Sequence, residues 1–172
     1  RPFPGGRILA VAASLSGGGA LAWFVESVEH WLQELDREPL SRDELFTRLD
    51  ALGASARTAG LRISPSVFGE RGDPTRRGSI GGIDAWNFTL GQQFRALATG
   101  VVTNLRDMLP AGCFEGRESV LATGNGIRRL ATVQACAQEV LALPVQLASV
   151  PEEAAAGAAM LADRMLREAP PA

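Results

Sequence analysis

Two glycine-rich turns are the segments of this 172-residue chain whose composition best fits a ligand site. One covers residues 16–19 (SGGG) and the other covers residues 124–126 (GNG). Each turn lies between a predicted strand and a predicted helix, which places free backbone N–H groups and the positive end of a helix at one edge of a sheet. Glycine also lets a phosphate or a flat base approach the main chain closely. The turns therefore indicate a nucleotide site, with glycines that serve only tight turns as the alternative.

Two arginines lie in the first turn of the helix that is predicted after the second glycine turn. Arg128 and Arg129 place positive charge where the helix dipole is already positive, which is a local electrostatic conflict. Contact with an anion or pairing with a carboxylate would relieve the conflict, and exposure to solvent would weaken it. The sequence leaves these three explanations open.

Three further features have a chemical and a structural interpretation. In the loop over residues 69–78, Glu70 stands beside Arg71 and either bridges elements by hydrogen bonds or acts as a catalytic carboxylate. The small-residue run 154–162 favours close packing in the core over contact with a ligand. The single histidine, His30, falls on the polar face of a helical pattern and is interpreted as a surface residue.

The basic residues exclude several mechanisms, because all 17 of them are arginine and the chain has no lysine. A Walker-type phosphate loop, a Schiff base and Ser–Lys hydrolysis each need a lysine. One histidine and two cysteines are too few for the usual zinc sites. The net charge of −2 argues against a nucleic-acid partner.

The lengths of the apolar runs and the number of cysteines indicate the cellular compartment of the protein. No run approaches the roughly 18 apolar residues of a membrane span, so no membrane association is expected. Cys113 and Cys136 lie in unrelated contexts and are expected to be free thiols, as in the reducing cytoplasm. The sequence therefore predicts a cytoplasmic protein.

Strands alternate with helices along the chain, which indicates an α/β domain with helices covering a mixed sheet of about four or five strands. In the third helix, Gly100 costs about 1 kcal/mol relative to alanine and therefore predicts close packing there. Ser41 and Glu44 form a capping box before the second helix, and Gly53 is expected to end it. The predicted strands are 8–14, 61–68, 79–84, 119–123 and 145–148. The first predicted helix follows the loop 16–19, the second starts at 41, and two more cover 90–109 and 127–141. A second capping box at 149–152 opens the last helix, and a tail follows at 169–172.

Several segments in this order resemble the C-terminal domain of the FGGY carbohydrate kinases, within the actin-like ATPase superfamily. They are SGGGALAWF, GERGDP, RRGSIGGI, FRALATGVVTNLRDML, ESVLATGNGIRRLATVQACAQEVLALPV and EEAAAGAAMLA. The resemblance covers nearly the whole chain. Its details, above all GVVTNLRDMLP, are most similar to family members that phosphorylate the seven-carbon ketose sedoheptulose.

The resemblance implies a ribonuclease H-like fold over residues 1–168, one of two domains that close around ATP and Mg²⁺. By position, Gly18 matches a family glycine near the phosphates, and Gly124 with Asn125 matches the glycine pair of the adenosine motif. Arg129 falls where many relatives have a polar residue near the adenine. The positions assigned to cofactor binding on this basis are Gly18, Gly19, Gly124, Asn125, Gly126 and Arg129.

The chain departs from the family pattern at two positions, Asn125 and Ala22. The adenosine turn is commonly Gly-Gly, whereas Asn125 stands between two glycines here; asparagine tolerates positive φ, so the turn can form. Ala22 stands where many relatives have glutamine, which removes one polar contact.

The resemblance also implies that the family's catalytic aspartate, first phosphate loop and most of the sugar site precede the position of Arg1. No catalytic residue is therefore assigned. The expected function is the ATP-binding half of a ketose kinase, inactive as this chain alone, which shares ATP and the sugar with an N-terminal domain. The alternatives are a kinase of the xylulose or glycerol type, and a non-catalytic binding or assembly module.

Overall fold

The computed structural model describes residues 2–3, 6–38, 40–149 and 152–168. It confirms an α/β chain, with helices as the larger part. The helices are α1 (Gly18–Glu34), α2 (Arg42–Ser55), α3 (Leu90–Asp107), α4 (Asn125–Arg129), α5 (Ala131–Leu141) and α6 (Glu153–Glu168). The strands are β1 (Pro2–Phe3), β2 (Arg7–Ile8), β3 (Arg62–Ser64), β4 (Ser79–Gly81), β5 (Val120–Ala122) and β6 (Val145–Leu147).

Helix α3 is the centre of the hydrophobic core. Thr89 and Gln92 form a reciprocal capping box at its start, which satisfies N–H groups that have no partner within the helix. Phe94 and Leu97 on its apolar face are fully buried against α1, α2 and α5. Burying a side chain of this size contributes about 1.5–3 kcal/mol, so α3 holds the other helices together.

Gly100 lets α3 approach strand β3 closely, as its position in the sequence predicts. A Cβ atom built at Gly100 would lie 2.0 Å from the backbone oxygen of Ile63, which no real side chain tolerates. Pro65 ends the strand one residue after Ser64. Gly100 is therefore the residue at which helix α3 contacts strand β3.

Helix α2 begins where the sequence predicts, but only the Ser41 half of the predicted capping box forms, and the helix does not end at Gly53. The Ser41 side chain accepts a hydrogen bond from the Glu44 N–H at 3.3 Å, and the Glu44 carboxylate pairs with Arg48. The helix continues through Gly53 to Ser55. Gly53 is needed for packing, since a Cβ there would lie 2.8 Å from the Thr132 hydroxyl oxygen.

The prediction of one sheet of four or five strands is wrong for the described residues, where the strands form three separate pairs. Strands β1 and β2 pair antiparallel, as do β3 and β4, whereas β5 and β6 pair in parallel with Leu121 opposite Gln146. The physical reason is that each strand forms a ladder with one other strand only, and that the longest of the predicted strand segments at the N-terminal end is mostly irregular.

That segment is residues 8–14, which were expected to form a buried strand. Only Arg7–Ile8 is a strand, and 9–14 is irregular. The side chains of Ile8 and Val11 are 86% and 46% exposed. An apolar run is buried only where another strand pairs with it and helices cover it, and the described residues provide no such strand here.

The helix predicted over 127–141 is two helices. Leu130 has extended dihedral angles (φ −112°, ψ 104°), which separate α4 from α5. Because of this break, the first N–H groups of α5 have no acceptor within a helix. The Asp50 carboxylate accepts hydrogen bonds from two of them. Because Asp50 is distant in sequence, no local pattern announces the break.

The final helix, α6, begins at Glu153, later than the capping box at 149–152 suggests. Val150 and Pro151 of that box, and the tail at 169–172, lie outside the described residues. The small-residue run 154–162 is largely exposed, so the prediction that it packs in the core is wrong for this structure. Among the described residues, no helix combines the length and the apolar character that crossing a membrane requires.

Candidate functional site

The two glycine turns meet at one groove, although 107 positions separate their glycines Gly17 and Gly124 in the chain. The groove has a volume of about 940 Å³, and its lining includes Gly17 and Gly18 of the first turn and Gly124 and Gly126 of the second. Most of the remaining wall is apolar. The fold thus brings together two predicted segments that the sequence could only treat separately.

The first turn leaves the start of helix α1 open. Gly17 is the N-cap residue, and its position has no side-chain capping bond; the first turn also contains no acidic residue. A Cβ at Gly17 or Gly18 would meet no atom within 4 Å. The positive end of this 17-residue helix is therefore accessible to an anion that enters the groove.

Gly19 differs from its neighbours in its surroundings. A Cβ at this position would contact the Phe68 ring at 3.5 Å, and Gly19 does not line the groove. Its role in the structure is contact with the loop after β3. Of the first turn, Gly17 and Gly18 are the residues that face the groove.

The second turn requires glycine at its first position. Gly124 has φ 94° and ψ 155°, a conformation that side chains strongly disfavour. Asn125 follows as the first residue of the five-residue helix α4. The long helix expected after this turn, with its full dipole, is therefore not present. The backbone shape of the turn, and not a helix dipole, would act on a ligand.

A second, smaller cavity of about 270 Å³ adjoins this turn. Gly126 lines both this cavity and the groove. The half-buried Phe46 supplies an apolar ring, and Asp43 and Arg129 supply charged groups. Its lining residues are Asp43, Phe46, Thr47, Asp50, Asn125, Gly126, Arg129 and Leu130.

The two arginines after the second turn have different surroundings. The Arg128 guanidinium donates a hydrogen bond of 2.6 Å to the Ala148 carbonyl, which ties α4 to the end of β6. The Arg129 guanidinium lies 3.8 Å from the Asp43 carboxylate and is largely exposed. Two of the three explanations offered for the arginines, pairing with a carboxylate and exposure to solvent, thus both apply at Arg129. An exposed ion pair of this kind contributes at most about 1 kcal/mol to the stability of the fold.

Glu70 bridges three parts of the chain, as one of its two interpretations predicts. Its carboxylate accepts hydrogen bonds from the Ser14 hydroxyl (2.8 Å), the Asn104 amide (2.7 Å) and the Leu15 N–H (3.2 Å). The residue is only 4% exposed. These bonds hold the segment before the first glycine turn against the 69–78 loop and α3.

The environment of Glu70 favours its ionised form. Burial alone would raise the pKa of this carboxyl, but the hydrogen bonds from Ser14, Asn104 and Leu15 outweigh it, and the pKa lies below its usual value. A carboxylate that is already held by three donors is poorly placed to take a proton from a substrate. The geometry therefore favours bridging over catalysis.

Asp50 is a structural residue that the sequence analysis missed. Its two carboxylate oxygens each lie 2.9 Å from a backbone nitrogen, one of Ala131 and one of Thr132. The Thr132 hydroxyl donates in turn to the Asp50 carbonyl at 2.8 Å. The carboxylate caps α5 from α2, and it also borders the smaller cavity.

The remaining candidate groups are the possible metal ligands, the two cysteines and His30. Within the described part of the chain, no cluster of three or more His, Cys, Asp or Glu residues could hold a metal ion. Cys113 and Cys136 are both free thiols, as predicted, with Cys136 buried and Cys113 half-buried. His30 is exposed on α1, as expected.

Comparison with known proteins identifies relatives over nearly the full chain. Sedoheptulokinase from Homo sapiens is 33% identical over 162 residues, which are 93% of this chain and 34% of that protein. Sedoheptulokinase from Mus musculus is 30% identical over 172 residues, or 99% of this chain and 36% of that protein. The chain therefore spans about a third of the length of the curated relatives it matches.

Solved structures agree on the fold. A ligand-bound xylulose kinase from Lactobacillus acidophilus has a TM-score of 0.67 at 20% identity, with 92% of this chain and 31% of that one covered. A xylulose kinase from Rhodospirillum rubrum has a TM-score of 0.61 at 26% identity, with 78% and 26% covered. The family model for the FGGY carbohydrate kinases, C-terminal domain, matches residues 2–166. This chain belongs to the FGGY family of carbohydrate kinases and corresponds to its C-terminal domain.

Proposed function

We propose that residues 1–172 form the nucleotide-binding side of an ATP-dependent ketose kinase. The observation that carries the proposal is the convergence of Gly17 and Gly18 with Gly124 and Gly126 on one groove. In this arrangement the N–H groups at the start of α1 bind phosphate oxygens, because the helix end is open and has no acidic residue of its own. The glycines of both turns allow the nucleotide to lie close to the main chain.

The smaller cavity is the proposed site of the adenine ring. Phe46 offers a ring face for stacking, and Asn125 and Arg129 offer polar groups to the edge of a base. The cavity has a volume of about 270 Å³ and shares the lining residue Gly126 with the groove, so base and phosphates have neighbouring places. Within the described residues the chain has no carboxylate cluster for a metal, so Mg²⁺ is proposed to arrive on the ATP phosphates.

Sedoheptulose is the proposed acceptor, because the two curated relatives at 33% and 30% identity are sedoheptulokinases. Phosphoryl transfer needs a group that accepts the proton of the sugar hydroxyl. Glu70, the carboxylate that is most buried among the described residues, is occupied by three hydrogen bonds. We therefore propose that the base and most of the sugar site lie on polypeptide outside residues 1–172, in the cytoplasm, and that the chain alone is inactive.

Sugar-dependent ATP turnover tests this function. The 172-residue chain and the product of its complete reading frame are assayed with sedoheptulose, xylulose, glycerol and gluconate. The proposal predicts turnover only by the complete product, with sedoheptulose preferred. Turnover by the 172-residue chain well above that of its Gly124→Trp variant would contradict the inactivity, and a complete product that prefers another sugar would contradict the substrate.

A non-catalytic assembly module is the second candidate, favoured by the exposed apolar side chains of helix α6. Met160 and Leu166 are 70% and 77% exposed. Such residues favour association with another protein surface. Light scattering at high protein concentration tests whether the chain associates. A monomer in that measurement, together with ATP binding measured separately, would count against the assembly module.

A further inference from the structure

A third cavity, with a volume of about 550 Å³, is lined by both strands of the β3–β4 ladder and by helix α3. It shares no lining residue with the groove or with the smaller cavity. Its charged lining residues are Arg62, Arg76 and Asp107, so positive charge is in excess. A cavity of this size and charge suits a small anionic ligand.

The ladder presents a polar face to this cavity. Arg62 pairs with Gly81, and Ser64 pairs with Ser79. Residues two apart on a strand point to the same face of a sheet, and residues directly opposite on the neighbouring strand share that face. All four residues line the cavity, so one guanidinium and two hydroxyl groups lie on a single face of the ladder.

Beside Arg62 there is space for an anion. A Cβ atom built at Gly81, its partner across the ladder, would meet no atom within 4 Å. The Arg62 guanidinium donates one hydrogen bond, to the Gly60 carbonyl at 3.2 Å, and forms no ion pair with a carboxylate of the described residues. A guanidinium has five N–H groups, and the remaining ones match the oxygens of a phosphate.

Three hydroxyl groups along the cavity are open to hydrogen bonds from a ligand. Ser64, Ser79 and Thr103 line it, and none of them is fully buried. Their hydroxyls have no hydrogen-bond partner within the part of the chain that the structure describes. The Thr99 hydroxyl differs, because it already donates to the Cys136 sulfur at 3.3 Å. The three available hydroxyls suit a ligand that has several hydroxyl groups of its own.

Asp107 marks the other end of the cavity. It lies seven residues after Gly100, the point of contact with β3, which is about 10 Å along the helix. Arg106 contacts its Oδ1 at 2.7 and 2.8 Å, so Oδ2 remains an acceptor for a hydroxyl group. This carboxylate and the negative end of α3 disfavour a phosphate here. The charges therefore orient a ligand, with its anionic group at Arg62.

We propose that this cavity binds a small phosphorylated polyol, with the phosphate at Arg62 and the hydroxyl groups toward Thr103 and Asp107. The excess of positive charge matches the phosphate, and the uncharged hydroxyls match the polyol. The product of the kinase reaction proposed above belongs to this chemical class. The cavity's own groups define the site, however, so it depends neither on that reaction nor on the nucleotide groove.

Phosphorus NMR of fructose 6-phosphate measures this binding without any need for activity. The 172-residue chain and the product of its complete reading frame are each titrated, and the affinity follows from the line broadening. Arg62→Gln is expected to weaken binding at least about tenfold, because it removes the charge-assisted hydrogen bonds. Arg37→Gln, at an exposed arginine outside the cavity, is the matched control and is expected to leave the affinity unchanged.

Recognition of the polyol part is tested separately. Thr103→Val removes a hydroxyl at almost constant shape and is expected to weaken the binding of fructose 6-phosphate about fivefold, without changing the affinity for inorganic phosphate. Inorganic phosphate itself is expected to bind at least about tenfold more weakly than fructose 6-phosphate. Gly126→Leu, at the nucleotide groove, is expected to change neither affinity.

Four outcomes would overturn the proposal. They are no broadening with either protein, equal affinities of the unaltered and Arg62→Gln proteins, equal affinities for inorganic phosphate and fructose 6-phosphate, and loss of binding in Gly126→Leu. The last of these would place the ligand in the nucleotide groove. Thermal denaturation checks that Arg62→Gln is folded. Should this variant lose the fold, Thr103→Val carries the test, and an affinity equal to that of the unaltered protein would then contradict the site.

Discussion

The side-chain amide of Asn104 donates a 2.7 Å hydrogen bond to the Glu70 carboxylate, which joins helix α3 to a loop 34 positions away. The same amide reaches the Ser14 hydroxyl at 3.0 Å. Ser14 in turn accepts from the Ser16 N–H at 2.8 Å, immediately before the first glycine turn. The position of that turn therefore depends on a buried carboxylate with neutral donors.

This network makes stability depend on pH through Glu70. The folded state lowers the pKa of this carboxyl, so its contribution is present above the ordinary value of 4.5 and is lost as the pH falls through the folded pKa. Glu70→Gln is expected to lower stability by about 2 kcal/mol at pH 7, because an amide cannot accept all three bonds. Below pH 4.5 the difference is expected to shrink.

Urea denaturation between pH 3 and pH 7 measures this effect. Glu26→Gln, on the exposed face of α1, is the matched control and is expected to leave stability within about 0.5 kcal/mol at pH 7. A Glu70→Gln difference that stays constant over the whole pH range would contradict the role of the ionised carboxylate.

Removal of the Asp50 carboxylate is expected to destabilise helix α5. Asp50→Ala leaves two backbone N–H groups without their acceptor and is expected to cost about 1–2 kcal/mol. Asp163→Ala removes only an exposed pair with Arg167 and is expected to cost less than about 0.5 kcal/mol. Equal denaturation midpoints for the two variants would show that the cap is not significant.

Two glycines in helices are expected to respond oppositely to alanine. At Gly100 the added Cβ would lie 2.0 Å from the Ile63 carbonyl oxygen, so Gly100→Ala is expected to cost about 3 kcal/mol or more. Gly157 in α6 has no atom within 4 Å of that position, so Gly157→Ala is expected to stabilise by up to about 1 kcal/mol. Thermal denaturation compares them, and a stable Gly100→Ala variant would refute the close contact of α3 with β3.

The two cysteines are expected to react at different rates. Burial raises the pKa of the Cys136 thiol, despite a hydrogen bond from Thr99, so little reactive thiolate forms. Cys113 is half-buried and is expected to react first with a colorimetric disulfide reagent. Cys113→Ser should abolish the fast phase. A fast phase that persists in this variant would place Cys136 in an exposed site.

The sequence predicted the parts of the fold that depend on local patterns. The start of α3 at Leu90 and the N-cap of α2 at Ser41 follow from apolar spacing and capping. The break at Leu130 could not be predicted, because the carboxylate that caps the helix after it belongs to Asp50, about 80 positions earlier. The strand over residues 8–14 was predicted wrongly, because apolar character alone does not show whether another strand pairs with the segment, and only Arg7–Ile8 is paired.

The candidate site was predicted in its parts but not in its arrangement. Glycine at both turns was visible in the sequence, whereas the common groove and the separation of Gly19 from it depend on tertiary packing. The cavity that joins Phe46 to Arg129 was not visible either, since no spacing rule connects α2 with α4.

Titration calorimetry with ATP and Mg²⁺ is the most direct test of the nucleotide site. Gly126→Leu places a side chain in open space where the two cavities meet, and Gly157→Leu makes the same change in α6 away from both. The proposed site predicts ATP binding by the unaltered chain and by Gly157→Leu, and at least about tenfold weaker binding by Gly126→Leu. Equal affinities for both variants, or no heat from the unaltered chain, would contradict it.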